Sequence, residues 1–273
     1  MALNRLQAAL LTTANREAGN TANEDAALLN GTVHQGEVFL EATLRLASPN
    51  VIAVSDGVHS SPCADVASRT VLELLERSYR QSSAKLPARR VRDLQIELGE
   101  MLIPAWDDEL EEDDDERSSR DDPRFGMTAT LVGVELDEGS GTIFHIGDSK
   151  AWIVSSREAR LMTTDHTIIN SMIEDGLAPE ASRHSSSSRY QGLDRFLVAD
   201  SMHTPMRCDV VEFKFSTEQT IVLCSDGLDV VEHRSFVRRP DEALSSYVQR
   251  LVARACELGS DDNVTCIAAS FST

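Results

Sequence analysis

The sequence has no Cys-X-X-Cys pair, no excess of basic residues and no long apolar run, and each absence argues against a class of function. Its five cysteines, Cys63, Cys208, Cys224, Cys256 and Cys266, are scattered and odd in number. That argues against a disulfide framework or a structural zinc site and fits a reducing compartment. Lys and Arg total 26 against 45 Asp and Glu, giving a net charge of −19 and a pI near 4.7. So acidic a chain lacks the basic footprint that nucleic acid requires, and an anionic membrane surface repels it. No stretch approaches the roughly 18 consecutive apolar residues of a membrane span. The short N-terminal apolar run is broken by Asn4, Arg5 and Gln7, so it makes a poor signal peptide. The expectation is a cytoplasmic protein with no nucleic-acid and no membrane partner.

What is present suits a globular chain. At 273 residues and 41% hydrophobic content, the sequence can fill one sizeable core. It shows no internal repeat and no dividing linker, so residues 1–273 read as a single domain. Much of the charge is local: Asp107 to Glu116 is nearly all carboxylate, and Asp121 and Asp122 follow. This acidic loop, about 107–122, reads as a solvated helix end, with a docking strip for basic segments as the sharper alternative.

Strand patterns fall at 51–54, 130–136, 142–146, 151–154, 210–215, 220–224 and 264–271, and the turn 137–141 joins two of them as a hairpin. Two helical periods are clear. Val66, Ala67, Thr70, Val71, Leu74 and Leu75 share a face within 62–80, with Ser61 before Pro62 placed as an N-cap. Leu244, Tyr247, Val248, Leu251, Val252 and Ala255 do so within 241–258. A third helix over 86–110 is interrupted by Gly99 and Pro104. Strand runs separated by long helices suggest an α+β fold of antiparallel sheets with helices on their outer faces.

The chemistry lies in where the carboxylates fall. Asp56, Asp148 and Asp226 each follow a strand-like run, and each adjoins a glycine: Gly57, Gly147 and Gly227. Glu24-Asp25 precedes a short apolar run, and Asp262-Asn263 precedes the last strand. Strand ends delivered to one rim would gather these carboxylates. Like charges held close in a poorly polarisable setting repel unless cations fill the space between them. Oxygen donors without His or Cys select hard cations such as magnesium or manganese.

In this order the chain resembles the protein phosphatase 2C family of metal-dependent phosphatases. The resemblance rests on Asn23-Glu24-Asp25, Ala53 to Gly57, Gly126 to Thr130, His145 to Ser149, Thr164-Asp165-His166, Leu223 to Leu228 and Asp262 to Thr265. It implies a four-layer α-β-β-α sandwich of two antiparallel sheets flanked by helices. It also implies two to three Mn2+ or Mg2+, and hydrolysis of phosphoserine and phosphothreonine on proteins by a metal-bridging hydroxide. Carried across, Asp56 resembles the bridging ligand, with Glu24 and the Gly57 carbonyl on one metal and Asp226 and Asp262 on the other. Asp148 and Asp226 match the pair for a weaker third metal, and Asp25 resembles the residue that orients water. As a compact bacterial-looking member, the chain is expected to oppose a serine/threonine kinase.

Some positions depart from the family pattern. Asn20 stands where the family has a phosphate-gripping arginine, and Arg16, in a segment read as extended, is expected to point elsewhere. Val58 occupies a slot that holds a proton-donating histidine in some members, which leaves His59 as the candidate donor, against a surface or helix-capping role for the same residue. Met127 replaces the first threonine of the family's Gly-Thr-Thr, whereas Thr128 is retained beside the substrate. His166 reads as a structural histidine at the start of the family's flap, about 166–200, whose Ser185 to Ser188 run reads as a mobile loop. The missing arginine and the altered glycine-rich stretch, Val58 to Pro62, motivate one alternative, a catalytically weak regulatory binding module; a calcium-stabilised structural domain is another.

Overall fold

A computed structural model of the chain describes residues 5–45, 50–82, 85–102, 119–137, 139–184, 187, 190–214 and 216–271. The acidic stretch 107–116, the far end of the third predicted helix, Phe215, and Ser185, Ser186 and Ser188 lie outside the described residues. In chain order the strands and helices are β1 (Arg5–Thr13), β2 (Asp25–Leu29), β3 (Thr32–Gln35), β4 (Val38–Arg45), β5 (Asn50–Asp56), α1 (Ala64–Gln81) and α2 (Pro87–Glu100). There follow β6 (Thr128–Ala129), β7 (Leu131–Asp137), β8 (Ser140–Ile146), β9 (Lys150–Val154), β10 (Ala159–Leu161) and α3 (Ile168–Glu174). The last are β11 (Leu197–Val198), β12 (Asp209–Lys214), β13 (Thr220–Cys224), α4 (Leu244–Glu257) and β14 (Val264–Phe271).

Two six-stranded sheets form, in the orders β10-β9-β13-β14-β1-β4 and β12-β8-β7-β5-β2-β3. Every pairing within them is antiparallel. The period of two along each strand divides its side chains between cores. Ile52 and Val54 of β5 meet Leu10, Leu223 and Ile267 between the sheets, whereas the intervening Ala53 faces α1 and α2. On that outer face Val71 and Leu75 of α1 and Val91, Leu94 and Leu98 of α2 pack with Leu28, Leu131 and Phe144. On the opposite face Tyr247, Val248 and Leu251 of α4 pack over Val222, Cys266 and Ala268. The expected α-β-β-α sandwich is therefore the fold.

Several details differ from the sequence reading. β1 lies inside its sheet between β14 and β4, yet it was read only as a broken N-terminal apolar run, and β4 was not anticipated. β1 buries residues of both faces, including Ala8, Ala9 and Leu10, so its alternation is blurred. Val66 is exposed, although its helix was expected to bury it. Ser61 does not cap α1, because Cys63 holds that position, and the Ser61 hydroxyl instead accepts a hydrogen bond from the Thr128 amide. Arg16 lies in a single 3-10 turn, not an extended segment.

Candidate metal centre

The topology delivers the acidic residues to one end of the sandwich. Asp25 opens β2 and Asp56 closes β5, and the antiparallel register sets them directly opposite one another. Asp226 follows the end of β13, and Asp262 precedes the start of β14, its antiparallel neighbour. Asp148 sits in the turn from β8 to β9, where the chain crosses from one sheet to the other. Asp56, Asp148, Asp226 and Asp262 all line one cleft of about 580 Å3, together with Gly57, His59 and Thr128.

Backbone hydrogen bonds hold these carboxylates in place. The Gly57 amide donates to the Glu24 carbonyl at 3.1 Å, and the Thr130 amide to the Asp56 carbonyl at 2.8 Å. The Asn263 side chain accepts from the Glu24 amide at 2.6 Å and donates to the carbonyls of Ala14 and Ala22. Asn15 donates to the carbonyls of Ser260 and Asp262, which pins the loop before β14. Glycine is required beside two of the acids: a Cβ on Gly57 would lie 2.0 Å from the Ala64 carbonyl oxygen, and one on Gly227 2.0 Å from that of Asn263.

The cluster resists ionisation. Burial first, then the charges of Asp226, Asp25, Asp148 and Asp262, push the Asp56 carboxyl well above the usual range. Burial, followed by Asp226, raises Asp148 to about 7. Asp25 also rises to about 7 through burial, although hydrogen bonds from Ser225 and Thr265 oppose the shift. Asp262 is raised by burial and then by Asp226. Asp25 Oδ1 and Asp226 Oδ1 are buried without a hydrogen-bond partner. Buried, orphaned and mutually repelling oxygens fit hard divalent cations, which would satisfy all three conditions. Among the described residues no three or more His, Cys, Asp or Glu side chains stand close enough together to form a ready-made metal site. Ions held by few protein oxygens keep water in the rest of their shells, as magnesium commonly does.

The other expected residues lie as follows. Thr128 lines the cleft, with its hydroxyl donating to the Gly126 carbonyl at 2.9 Å. His59 also lines it, Nδ1 lying 2.9 Å from Glu24 Oε2; that hydrogen bond, the largest influence, raises its pKa. Asn20 does not line it, and its amide donates to the Asp261 carbonyl at 3.0 Å. No arginine or lysine is among the described residues of the cleft wall. His166 is buried as expected of a structural histidine, Nδ1 accepting from the Gly147 amide at 3.1 Å. Sequence reasoning gave no role to Ser225, Asn15, Asn263, Lys150 or Asp229. Ser225 and Asn263 stand inside motifs quoted above, so adjacency to an acid was the available clue.

Comparison with known proteins places the chain among phosphatases. A family model described as protein phosphatase 2C matches residues 25–263. A serine/threonine phosphatase, stp, of Listeria welshimeri is 23% identical over 223 residues, covering 79% of this chain and 82% of that protein. Serine/threonine phosphatase Stp1 from Staphylococcus aureus superposes with a TM-score of 0.73 at 19% identity, covering 97% and 95% of the two chains. The catalytic domain of the serine/threonine phosphatase PstP, solved in complex with two manganese ions, gives 0.67 at 17% identity and covers 97% and 98%.

Proposed function

The chain belongs to the protein phosphatase 2C family, and we propose that its acidic cleft holds the divalent cations of a phosphoprotein phosphatase. It is a protein serine/threonine phosphatase, and its substrates are phosphorylated proteins. The observation that carries the site reading is the convergence of Asp56, Asp148, Asp226 and Asp262 on one wall, raised above their ordinary pKa values or left without partners.

Asp56, Glu24, Asp226, Asp262 and the Gly57 carbonyl would together hold two Mn2+ or Mg2+. Asp148 and Asp226 would hold a third, weaker ion. When bound, such cations acidify water and offset the charge of the phosphoryl oxygens. Asp25, fixed by the Ser225 hydroxyl at 2.7 Å, orients the attacking water. His59 donates its Nδ1 proton to Glu24, because a carboxylate can only accept, and supplies a proton to the departing seryl or threonyl oxygen. Thr128, which lines the cleft beside Val58 and Ser61, positions the substrate.

Among the described residues no helix is long and apolar enough to cross a membrane. The net charge of −19 supports an enzyme without nucleic-acid or anionic-membrane partners, and its proposed setting is the cytoplasm, opposing a serine/threonine kinase as the family resemblance implies. Phosphopeptide hydrolysis with Mn2+, with and without chelator, tests the reading. Turnover should require the metal, and Asp226→Asn should abolish it while leaving the circular dichroism spectrum unchanged. The commitment of Asn20 to Asp261 and the lack of an arginine among the described residues of the cleft favour one second reading, a weakly catalytic binding module. Phosphopeptide binding without Mn2+-dependent turnover would select it.

A further inference from the structure

Lys150 opens β9 two residues after Asp148 and is only 8% exposed. Its Nζ lies 2.6 Å from Asp229 Oδ2 and 3.3 Å from Asp165 Oδ2, and donates to the Asp148 carbonyl at 3.2 Å. The Asp229 amide in turn donates to the Asp226 carbonyl at 2.7 Å. One ammonium thus ties together the turn bearing Asp148, the segment bearing Asp226 and the residue before His166.

The charges around it do not balance. Two carboxylates, Asp165 and Asp229, pair with a single lysine, and Asp165 Oδ1 is buried without a hydrogen-bond partner. A buried ammonium persists only where it is paired; here its partners outnumber it, and a negative field remains for a second cation. The Asp229 and Asp165 carboxylates, 2.6 and 3.3 Å from Nζ, are the partners that keep the group an ammonium.

We propose that Lys150 is a tethered counter-ion that sets how weakly the Asp148–Asp226 end of the cleft binds a divalent cation. The inference rests on the reading of that end as a cation position. Ammonium and metal draw on the same carboxylate field, so the fixed charge lowers the field left for the ion. A neutral side chain in its place would leave the same carboxylates with one positive charge fewer.

The test is Mn2+ uptake by the full chain, followed by calorimetry and by loss of the free-Mn2+ resonance signal. Removing the charge in Lys150→Met should tighten the weakest class of sites by about tenfold, a Coulomb effect across a partly solvated protein. Lys150→Arg should bind as wild type, and adding Asp148→Asn to Lys150→Met should erase the gain. Unchanged or weaker uptake by folded Lys150→Met overturns the inference, as does a gain that survives Asp148→Asn. Should the methionine strand Asp229 and prevent folding, Lys150→Gln retains a hydrogen-bond donor and carries the same expectation. Wild type that takes up no Mn2+ overturns the cation reading itself; wild-type uptake with no change at Lys150→Met overturns only the counter-ion role.

Discussion

Asp25 and Asp56 face each other across the β2–β5 pair, two buried carboxyl groups at the same rung of an antiparallel ladder. Like charges directly opposed on a sheet destabilise it. Here Asp226 and Asp262 add to the repulsion on both. A fold carrying such a rung gives up stability that bound cations can return.

Asp56→Asn should therefore be more stable than wild type in chelator, although it is inactive. Its carboxyl is raised well above 3.8, so at neutral pH the folded state bears the cost of ionising it. The expected gain is about 3 °C or more in melting temperature. Mn2+ should raise the wild-type midpoint and leave the variant's nearly unmoved. Thermal melts with and without Mn2+ decide it, and equal metal stabilisation of both proteins would remove Asp56 from the site.

Ser225 spans the sheets: its hydroxyl donates to Asp25 Oδ2 at 2.7 Å and accepts from the Thr265 amide at 3.0 Å. Ser225→Ala should lower kcat by about tenfold or more with little change in KM, the usual scale for loss of an outer hydrogen bond at a metal site. Steady-state kinetics on one phosphopeptide reads this, and a change confined to KM would count against Asp25 as the water-orienting group.

Asn20→Arg should raise kcat/KM, mainly through a lower KM, by about tenfold or more. One charge-assisted contact to phosphate contributes on the order of 1.5–3 kcal/mol. The wild-type amide is engaged with the Asp261 carbonyl and offers the phosphate no charge. A variant no better than wild type would mean that other groups already supply the grip.

His145 should make the protein acid-sensitive. Its ring lies 4.5 Å from that of His166, and both its nitrogens are buried without hydrogen-bond partners. Burial first, then the His166 charge, lowers its pKa from 6.5 to about 3. The unfolded chain takes the proton near pH 6.5 and the folded chain only near 3. Stability from the neutral ring is therefore complete above 6.5 and is lost on acidification between those values, by up to about 1.4 kcal/mol per pH unit. Between pH 7 and 5 wild type should lose about 2 kcal/mol more than His145→Gln in urea titrations with chelator present. The raised carboxyls Asp25, Asp56 and Asp148 drive both proteins the other way, stabilising them as pH falls, so only the difference reports His145. Parallel pH profiles would refute the assignment.

Much of the architecture could be read along the chain. Val51 to Val54, Thr142 to Ile146 and Thr220 to Cys224 are strands because short apolar runs end in turn residues, and the α4 stripe from Leu244 to Ala255 is buried as its spacing requires. β1 escaped notice because it buries residues on both faces, which erases the alternation by which a half-buried strand is recognised. The Ser61 cap was misplaced because a serine before proline satisfies a local rule, whereas the Thr128 amide, 67 residues away, claims its hydroxyl.

The sequence by itself determined which acids could meet: Asp25, Asp56, Asp148, Asp226 and Asp262 each adjoin an apolar strand, and strand ends are local facts. Tertiary structure alone decided that they share a rim, by laying β1 beside β14 and β2 beside β5 and by crossing sheets at Asp148. It alone brought Lys150 to Asp229, 79 residues away, and turned Asn20 toward Asp261, 241 residues away. Hydrophobic period and turn chemistry act over a few neighbours and so are written along the chain. Charge and hydrogen bonding act through space, and only the packed sheets determine which groups are near.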